Sequence, residues 1–138
     1  MFKNRRATIP DDENERGAFL LADADLDLAA DETVKGSLSY SGQRCDAISR
    51  VLVEQSVADT FVKKALKAVE TWKVGDPRDP SVKVGLLIDK SAVERVHRLV
   101  TDAIEKGAKL FVGGKYEGNY YHPTVLDNVP FDANIMWD

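Results

Sequence analysis

The chain has 138 residues, of which 43% are hydrophobic and 30% are charged, and its formal net charge is −4. This length and composition are typical of one soluble globular domain or part of one, and the negative charge argues against nucleic acid as a partner. We recognise no apolar run of membrane-spanning length and no signal peptide, so we expect no membrane partner. The single cysteine predicts a reducing, cytoplasmic location.

The first part of the chain predicts a strand and a helix ahead of its only cysteine. Residues 1–16 are polar and lack periodicity, which predicts an irregular segment. The apolar run 18–21 predicts a buried strand, and an acidic stretch then leads into a helix over 26–38, whose start favours carboxylates. Gly42 ends this helix, so we expect Cys45 on a turn or at the start of a strand.

The rest of the chain predicts two amphipathic helices and three further strands. Apolar and β-branched runs predict strands over 49–54, 108–112 and 120–126. Apolar residues at three-and-four spacing predict helices from Ser56 to Trp72 and from Ser91 to Gly107. Each helix opens with a serine followed three residues later by a carboxylate, a pattern typical of a helix cap. The order β, α, β, α, α, β, β predicts an α/β fold with helices packed on a partly parallel sheet.

The only cysteine lies in the run Tyr40-Ser41-Gly42-Gln43-Arg44-Cys45-Asp46. A lone cysteine cannot form an intramolecular disulfide, which leaves packing, metal binding or nucleophilic chemistry. The two histidines, His97 and His122, give no metal-site spacing with it, so we expect no metal. For a nucleophile, Arg44 supplies adjacent positive charge and the Cys45 N–H is a candidate donor to an oxyanion. The alternative is a buried, inert Cys45 with Arg44 as a surface charge.

Other side chains that carry chemistry are interpreted as structural. The carboxylates of Asp23, Asp25 and Asp27 favour capping the helix that follows them over binding a cation. Phe61 and Trp72 lie on the apolar stripe of their helix and are expected in the core.

Four motifs in order along about 20–129 resemble those of the aldehyde dehydrogenase superfamily. They are Asp23-Ala24-Asp25-Leu26-Asp27, the Gly-Gln-x-Cys of the cysteine run, Val74-Gly75-Asp76-Pro77 with Val84-Gly85-Leu86-Leu87-Ile88, and Gly118-Asn119-Tyr120-Tyr121-His122-Pro123-Thr124-Val125-Leu126. The fuller Tyr-Ser-Gly-Gln-Arg-Cys form is most similar to the branch of non-phosphorylating glyceraldehyde-3-phosphate dehydrogenases. The three motifs outside the cysteine run are expected to serve as scaffold.

The resemblance implies part of the family's α/β catalytic domain, together with its chemistry. It implies that Cys45 attacks an aldehyde, that hydride leaves to NAD or NADP, and that water releases the acid from a cysteine thioester. In the glyceraldehyde-3-phosphate branch it implies that Arg44 helps to hold the substrate phosphate, a task that suits a guanidinium. The partner it implies is a small-molecule aldehyde.

Several departures from the family pattern indicate that much of such an enzyme is missing. The family's general-base glutamate aligns with Asp11, without the expected glycine pair, so this role is not transferred. We find no glycine-rich loop that opens a helix and cradles dinucleotide phosphates, and Leu86 stands where the family has a proline. We therefore expect residues 17–138 to be a partial catalytic domain without the cofactor domain, after a segment 1–16 unlike the family.

Three functions remain open for the isolated chain. The first is an inactive fragment of an NAD(P)-dependent aldehyde dehydrogenase, which binds no cofactor by itself. The second is a non-catalytic module that self-associates as a homo-oligomer through apolar faces and open sheet edges. The third is cofactor-free ester hydrolysis by Cys45, for which the sequence places no histidine.

Overall fold

The computed structural model describes residues 17–138, so the predicted irregular segment 1–16, with Asp11, lies outside the described residues. The strands are β1 Gly17–Leu20, β2 Arg50–Val53, β3 Lys109–Val112, β4 Tyr116–Glu117, β5 Tyr120–Tyr121 and β6 Val125–Asp127, and the helices are α1 Leu26–Leu38, α2 Ala58–Glu70 and α3 Lys90–Glu105. These elements confirm an α/β fold, although the strands pair in twos. No helix of the described part combines the length and the apolar character that a bilayer crossing needs.

Two parallel strands joined by α1 form the first unit. β1 pairs with β2 in parallel along its whole length, as the sequence predicts. The Asp25 carboxylate caps α1 by accepting hydrogen bonds from the N–H groups of Asp27 and Leu28, at 3.0 and 3.1 Å. The Asp27 carboxylate pairs instead with Lys64 of α2. The acidic run therefore caps one helix and links it to the next.

The largest core cluster belongs to α1, α2 and the parallel strands. Its members are mostly small aliphatic residues: Leu20, Ala30, Val34, Val53, Ala58, Ala65, Ala68 and Val69. Phe61 joins them at 4% exposure, which confirms it as a core residue, whereas Trp72 is only partly buried against the cluster. Because burying a phenylalanine stabilises by about 1.5–3 kcal/mol, Phe61 is the main apolar anchor of α2.

The second unit packs α3 beside two short antiparallel strand pairs. β6 pairs with β3, and β5 pairs with β4, a strand that the sequence analysis missed. The predicted strand over 120–126 is interrupted, because Pro123 lies between β5 and β6 and has no N–H for a strand ladder. Leu87, Val93, Val100 and Tyr121 form one core cluster here, and Ala103, Ala108, Ala133 and Met136 form another.

A mostly apolar cavity of about 350 Å³ lies between the two units. Its lining includes Val34 of α1, Phe61 of α2, Val100 of α3 and Leu126 of β6. The cavity is partly open to solvent, so the two units border an apolar groove.

Both helices after β2 begin differently from the serine caps that the sequence predicts. Near α2, the Ser56 hydroxyl donates to Oε1 of Glu54 at 2.9 Å, and no side chain caps the helix. At α3, Oδ1 of Asp89 accepts from the Ala92 N–H at 2.8 Å, and Ser91 lies inside the helix. The two serine caps are therefore wrong, because in each case a nearby carboxylate takes the hydrogen bond or the cap position.

Replacing Asp89 by alanine is expected to lower the free energy of unfolding by about 1 kcal/mol, the usual cost of losing a side-chain cap. Replacing Ser91 by alanine is expected to change it by less than about 0.5 kcal/mol, as for an exposed position without a special contact. Urea unfolding followed by circular dichroism measures both. An equal or larger loss for Ser91→Ala would restore the serine cap and contradict the structure.

Candidate active site

Residues 39–47 carry the cysteine and form a loop that starts at the end of α1 and comes back to the last turn of the same helix. We call it the cysteine loop. The Ile48 N–H donates to the Gly36 carbonyl at 3.2 Å, and the Ile48 side chain lies so close that a Cβ on Gly36 would meet its Cδ1 at 2.7 Å. Gly36 thus allows the loop to close on the helix, a role that the sequence analysis did not identify.

A left-handed turn begins the cysteine loop. Tyr40, Ser41 and Gly42 have φ values of 53°, 58° and 71°, and the Gln43 N–H closes the turn on the Tyr40 carbonyl at 3.1 Å. Two non-glycine residues in this region carry strain that surrounding contacts must hold in place. The helix ends earlier than the predicted break at Gly42, because α1 stops at Leu38 and Tyr40 is already left-handed. A Cβ on Gly42 would lie 3.0 Å from the Ser37 carbonyl oxygen.

Two side chains tie the loop to the segment Gly85–Ile88, which we call the support segment. The Ser41 hydroxyl donates to the Gly85 carbonyl at 3.1 Å. The Gln43 amide donates through Nε2 to the Leu86 carbonyl at 3.2 Å and accepts through Oε1 from the Ile88 N–H at 2.7 Å. The cysteine loop is therefore anchored at main-chain atoms more than 40 residues away in sequence.

Cys45 is a free, exposed cysteine on a turn that the Ala47 N–H closes on the Arg44 carbonyl at 3.2 Å. This confirms the expected turn, and the exposure contradicts the alternative of a buried thiol. Among residues 17–138, no group accepts a hydrogen bond from the Cys45 N–H. The exposed sulfur therefore lies beside a backbone donor that no described residue occupies.

Arg44 is held inside the cysteine loop by its neighbours. Its Nε donates to Oδ1 of Asp46 at 2.8 Å, its Nη2 donates to Oδ2, and its Cζ lies 5.4 Å from the centroid of the Tyr40 ring. The hydrogen bonds that Arg44 donates to Asp46 raise the pKa of Arg44 and lower the pKa of Asp46. The positive charge expected beside Cys45 is therefore largely balanced by a carboxylate.

The motifs interpreted as scaffold form main-chain hydrogen bonds with the support segment and with Val84, which precedes it. The Gly75 N–H donates to the Val84 carbonyl at 3.1 Å, and the Val84 N–H donates to the Lys73 carbonyl at 3.1 Å. The Leu87 N–H donates to the Asn119 carbonyl at 2.8 Å. Two other stretches of the chain, around Gly75 and Asn119, therefore brace the support segment, which in turn holds the cysteine loop.

The two histidines lie away from the cysteine loop's contacts. Nδ1 of His97 lies 3.2 Å from the Tyr121 hydroxyl, and burial raises the pKa of Tyr121 to about 12. The main chain of His122 donates to the Lys115 carbonyl at 3.0 Å beside β5. Neither is placed as a base for Cys45. Within the described part, no group of three or more histidine, cysteine, aspartate or glutamate side chains is arranged to hold a metal ion.

The starts of the described helices do not fit the phosphates of a dinucleotide. Such phosphates bind free N–H groups at the positive end of a helix. Here the first turns carry carboxylates, with Asp25 and Asp89 already accepting the N–H groups of α1 and α3 and Asp59 in the first turn of α2. An anionic cofactor would be repelled at each of these ends, so residues 17–138 provide no fitted cofactor site there.

Comparison with known proteins gives the family. The sequence profile of the aldehyde dehydrogenase family matches residues 16–138. This chain belongs to the aldehyde dehydrogenase family, a family of oxidoreductases. It is 46% identical over 121 residues to the NADP-dependent glyceraldehyde-3-phosphate dehydrogenase of Streptococcus equinus, covering 88% of this chain and 25% of that protein. It is 43% identical over 117 residues to the vanillin dehydrogenase of Pseudomonas fluorescens, covering 85% of this chain and 24% of that protein.

Solved aldehyde dehydrogenase structures share the fold. The structure of the NADP-dependent glyceraldehyde-3-phosphate dehydrogenase from Bacillus halodurans C-125, complexed with NADP, matches with a TM-score of 0.85 and 42% identity, covering 88% of this chain and 25% of that one. The resemblance indicated by the four motifs is thus confirmed, as is the fold class. The aldehyde dehydrogenase chain described here spans about a quarter of the length of these relatives.

Replacing Gly42 by alanine is expected to cost about 1–2 kcal/mol of stability, because its φ is left-handed and the new Cβ meets the Ser37 carbonyl oxygen. Gly17→Ala is the matched control: a Cβ there meets no described atom within 4 Å, and the expected change is below about 0.5 kcal/mol. Urea unfolding measures both variants. Parent-like stability of Gly42→Ala would show that the left-handed turn is not required.

Proposed function

We propose that this chain is part of the catalytic domain of an NADP-dependent glyceraldehyde-3-phosphate dehydrogenase, with Cys45 as the nucleophile. The observation that carries the proposal is the free, exposed thiol of Cys45 on a loop that is anchored at both ends. Beside the thiol lies the Cys45 N–H, from which no described group accepts a hydrogen bond. The names of several relatives support the substrate and the cofactor. The exposed thiol also supports a reducing, cytoplasmic setting.

The step that these residues carry is addition of the thiolate to the aldehyde. A bond forms between Sγ of Cys45 and the carbonyl carbon, while the carbonyl electron pair moves to oxygen and gives a tetrahedral oxyanion. The Cys45 N–H donates to that oxygen. NADP accepts hydride when it is bound, but the helix starts of residues 17–138 do not fit it, so we propose that this chain alone stops at the thiohemiacetal.

The pairing of Arg44 with Asp46 affects how Arg44 binds the substrate phosphate. We propose that the Arg44 guanidinium binds phosphate oxygens in competition with the Asp46 carboxylate, which occupies Nε and Nη2. Because the pKa of Asp46 is lowered, the pair persists above the ordinary carboxyl pKa of about 3.9 and is lost only as the pH falls through the lowered value. At neutral pH the competition is therefore always present.

Glyceraldehyde 3-phosphate is expected to slow alkylation of Cys45 by iodoacetamide, because thiohemiacetal formation removes the free thiolate. Mass spectrometry of the alkylated peptide measures the rate. Glyceraldehyde without phosphate is expected to protect at least threefold less well, and Arg44→Ala to abolish that difference. Asp46→Asn is expected to enlarge it, because the guanidinium is released to the phosphate.

Three outcomes would contradict the proposal. Equal alkylation rates with and without glyceraldehyde 3-phosphate would remove the nucleophilic role of Cys45. Formation of reduced cofactor from this aldehyde and NADP by the chain alone, abolished in Cys45→Ala, would show that the fragment is a complete catalyst. An unchanged phosphate preference in Arg44→Ala would move the phosphate contact elsewhere.

A second candidate function is a non-catalytic module that associates with itself. Within the described residues, the parallel pair β1–β2 has no third strand, and Phe19 and Leu21 beside it are 64% and 63% exposed. Exposed apolar residues at an open sheet edge favour pairing with another chain. The partly open apolar groove between the two units offers a second chain further apolar surface.

Light scattering is expected to show dimers or larger species of the parent chain at micromolar concentration. Phe19→Ser is expected to shift them toward monomer, since it removes apolar surface at the open edge. Leu28→Ser is the control, because Leu28 is 61% exposed on α1, away from that edge. A monodisperse monomer for the parent chain would contradict self-association.

A further inference from the structure

We propose that Gln43 is a positioning residue for Cys45, acting through the main chain of the support segment. The inference rests on the proposed nucleophilic role of Cys45. Gln43 lies two residues before the cysteine, and its amide joins the Leu86 carbonyl and the Ile88 N–H, at 3.2 and 2.7 Å. One side chain therefore acts as a bridge between two main-chain groups, as a paired strand would.

The bridge needs a primary amide. Nε2 of Gln43 must donate to a carbonyl while Oε1 accepts from an N–H, and a primary amide does both without a charge. Ser41 contributes a single donated hydrogen bond, to Gly85. Both bonds of Gln43 are exposed to solvent, so each is modest on its own, and their joint geometry is what fixes the direction of the loop.

Cys45 has little freedom between its two anchors. Before Cys45 in the chain, the Gln43 side chain is bonded to the support segment. After Cys45, Ile48 is fixed to Gly36 of α1. The four peptide units from Gln43 to Ala47 also contain the turn closed by the Ala47 N–H on the Arg44 carbonyl. The bridge thereby sets where the sulfur and the Cys45 N–H stand relative to the support segment.

Gln43→Glu separates positioning from a general packing effect. The new carboxylate keeps an acceptor for the Ile88 N–H, but its second oxygen faces the Leu86 carbonyl and repels it unless the carboxyl is protonated. No side chain of Gly85–Ile88 titrates. The titratable side chains of the cysteine loop are Tyr40, Arg44, Cys45 and Asp46, of which Arg44 and Asp46 are paired with each other. Acidification should therefore restore the bridge in this variant alone.

The test is solution NMR of the full chain, measuring hydrogen exchange at the Ile88 amide and the backbone order parameter at Cys45. At neutral pH, Gln43→Ala and Gln43→Glu are expected to speed exchange about three- to tenfold, the effect of losing a hydrogen bond of ordinary strength. The Cys45 order parameter is expected to fall from about 0.85 to below about 0.6. When the pH is lowered from about 7 to about 4, Gln43→Glu should regain the Ile88 exchange rate and the Cys45 order parameter of the parent chain at the same pH, and Gln43→Ala should not.

Gln55→Ala is the matched control, since Gln55 is the other glutamine of the chain and is exposed after β2. It is expected to leave both measurements unchanged. Parent-like values in Gln43→Ala would overturn the proposal, as would faster Ile88 exchange with an unchanged Cys45 order parameter or equal pH responses of the two Gln43 variants. These measurements need no aldehyde, so they test how Gln43 positions Cys45 separately from the protection by glyceraldehyde 3-phosphate, whose absence would overturn the proposed function.

Discussion

The cysteine loop keeps its shape because main-chain atoms distant in sequence hold it. The left-handed φ values of Tyr40 and Ser41 carry conformational strain, and contacts with residues distant in sequence offset that strain. The contacts that do so reach α1 at Gly36 and the support segment at Gly85–Ile88. The geometry of the thiol therefore depends on the packing of both structural units, not on the loop alone.

This dependence gives the four sequence motifs a common physical purpose. The stretch around Gly75 pairs with Val84, and Asn119 accepts from Leu87, so two motifs brace the support segment from behind. The cysteine run forms hydrogen bonds with that segment. The acidic motif caps α1 and links it to α2, and the cysteine loop follows α1 directly. Motifs that carry no chemistry themselves are in this way required by the one that does.

The sequence predicted the elements and the chemical centre better than the contacts. Apolar periodicity located α2 and its core residue Phe61, whereas the helix before Cys45 ends at Leu38, ahead of the predicted break at Gly42. The helix caps failed because Ser56 and Ser91 match a local pattern, whereas nearby carboxylates decide the outcome in three dimensions. The balance of charge at Arg44 and the closure at Gly36 depend on side-chain directions and long-range approach, which spacing along a chain does not encode.

Leu86 stands at a point where the resemblance to the family expects a proline, and Gln43 meets only main-chain atoms there. Gln43 uses the carbonyl of Leu86 and the N–H of Ile88, and no described group accepts from the Leu86 N–H. Proline retains its carbonyl and lacks an N–H, so it would offer Gln43 the same acceptor. The bridge from Gln43 consequently makes no demand on the side chains of Leu86 and Ile88, whereas Leu87 between them is fixed by its place in the core.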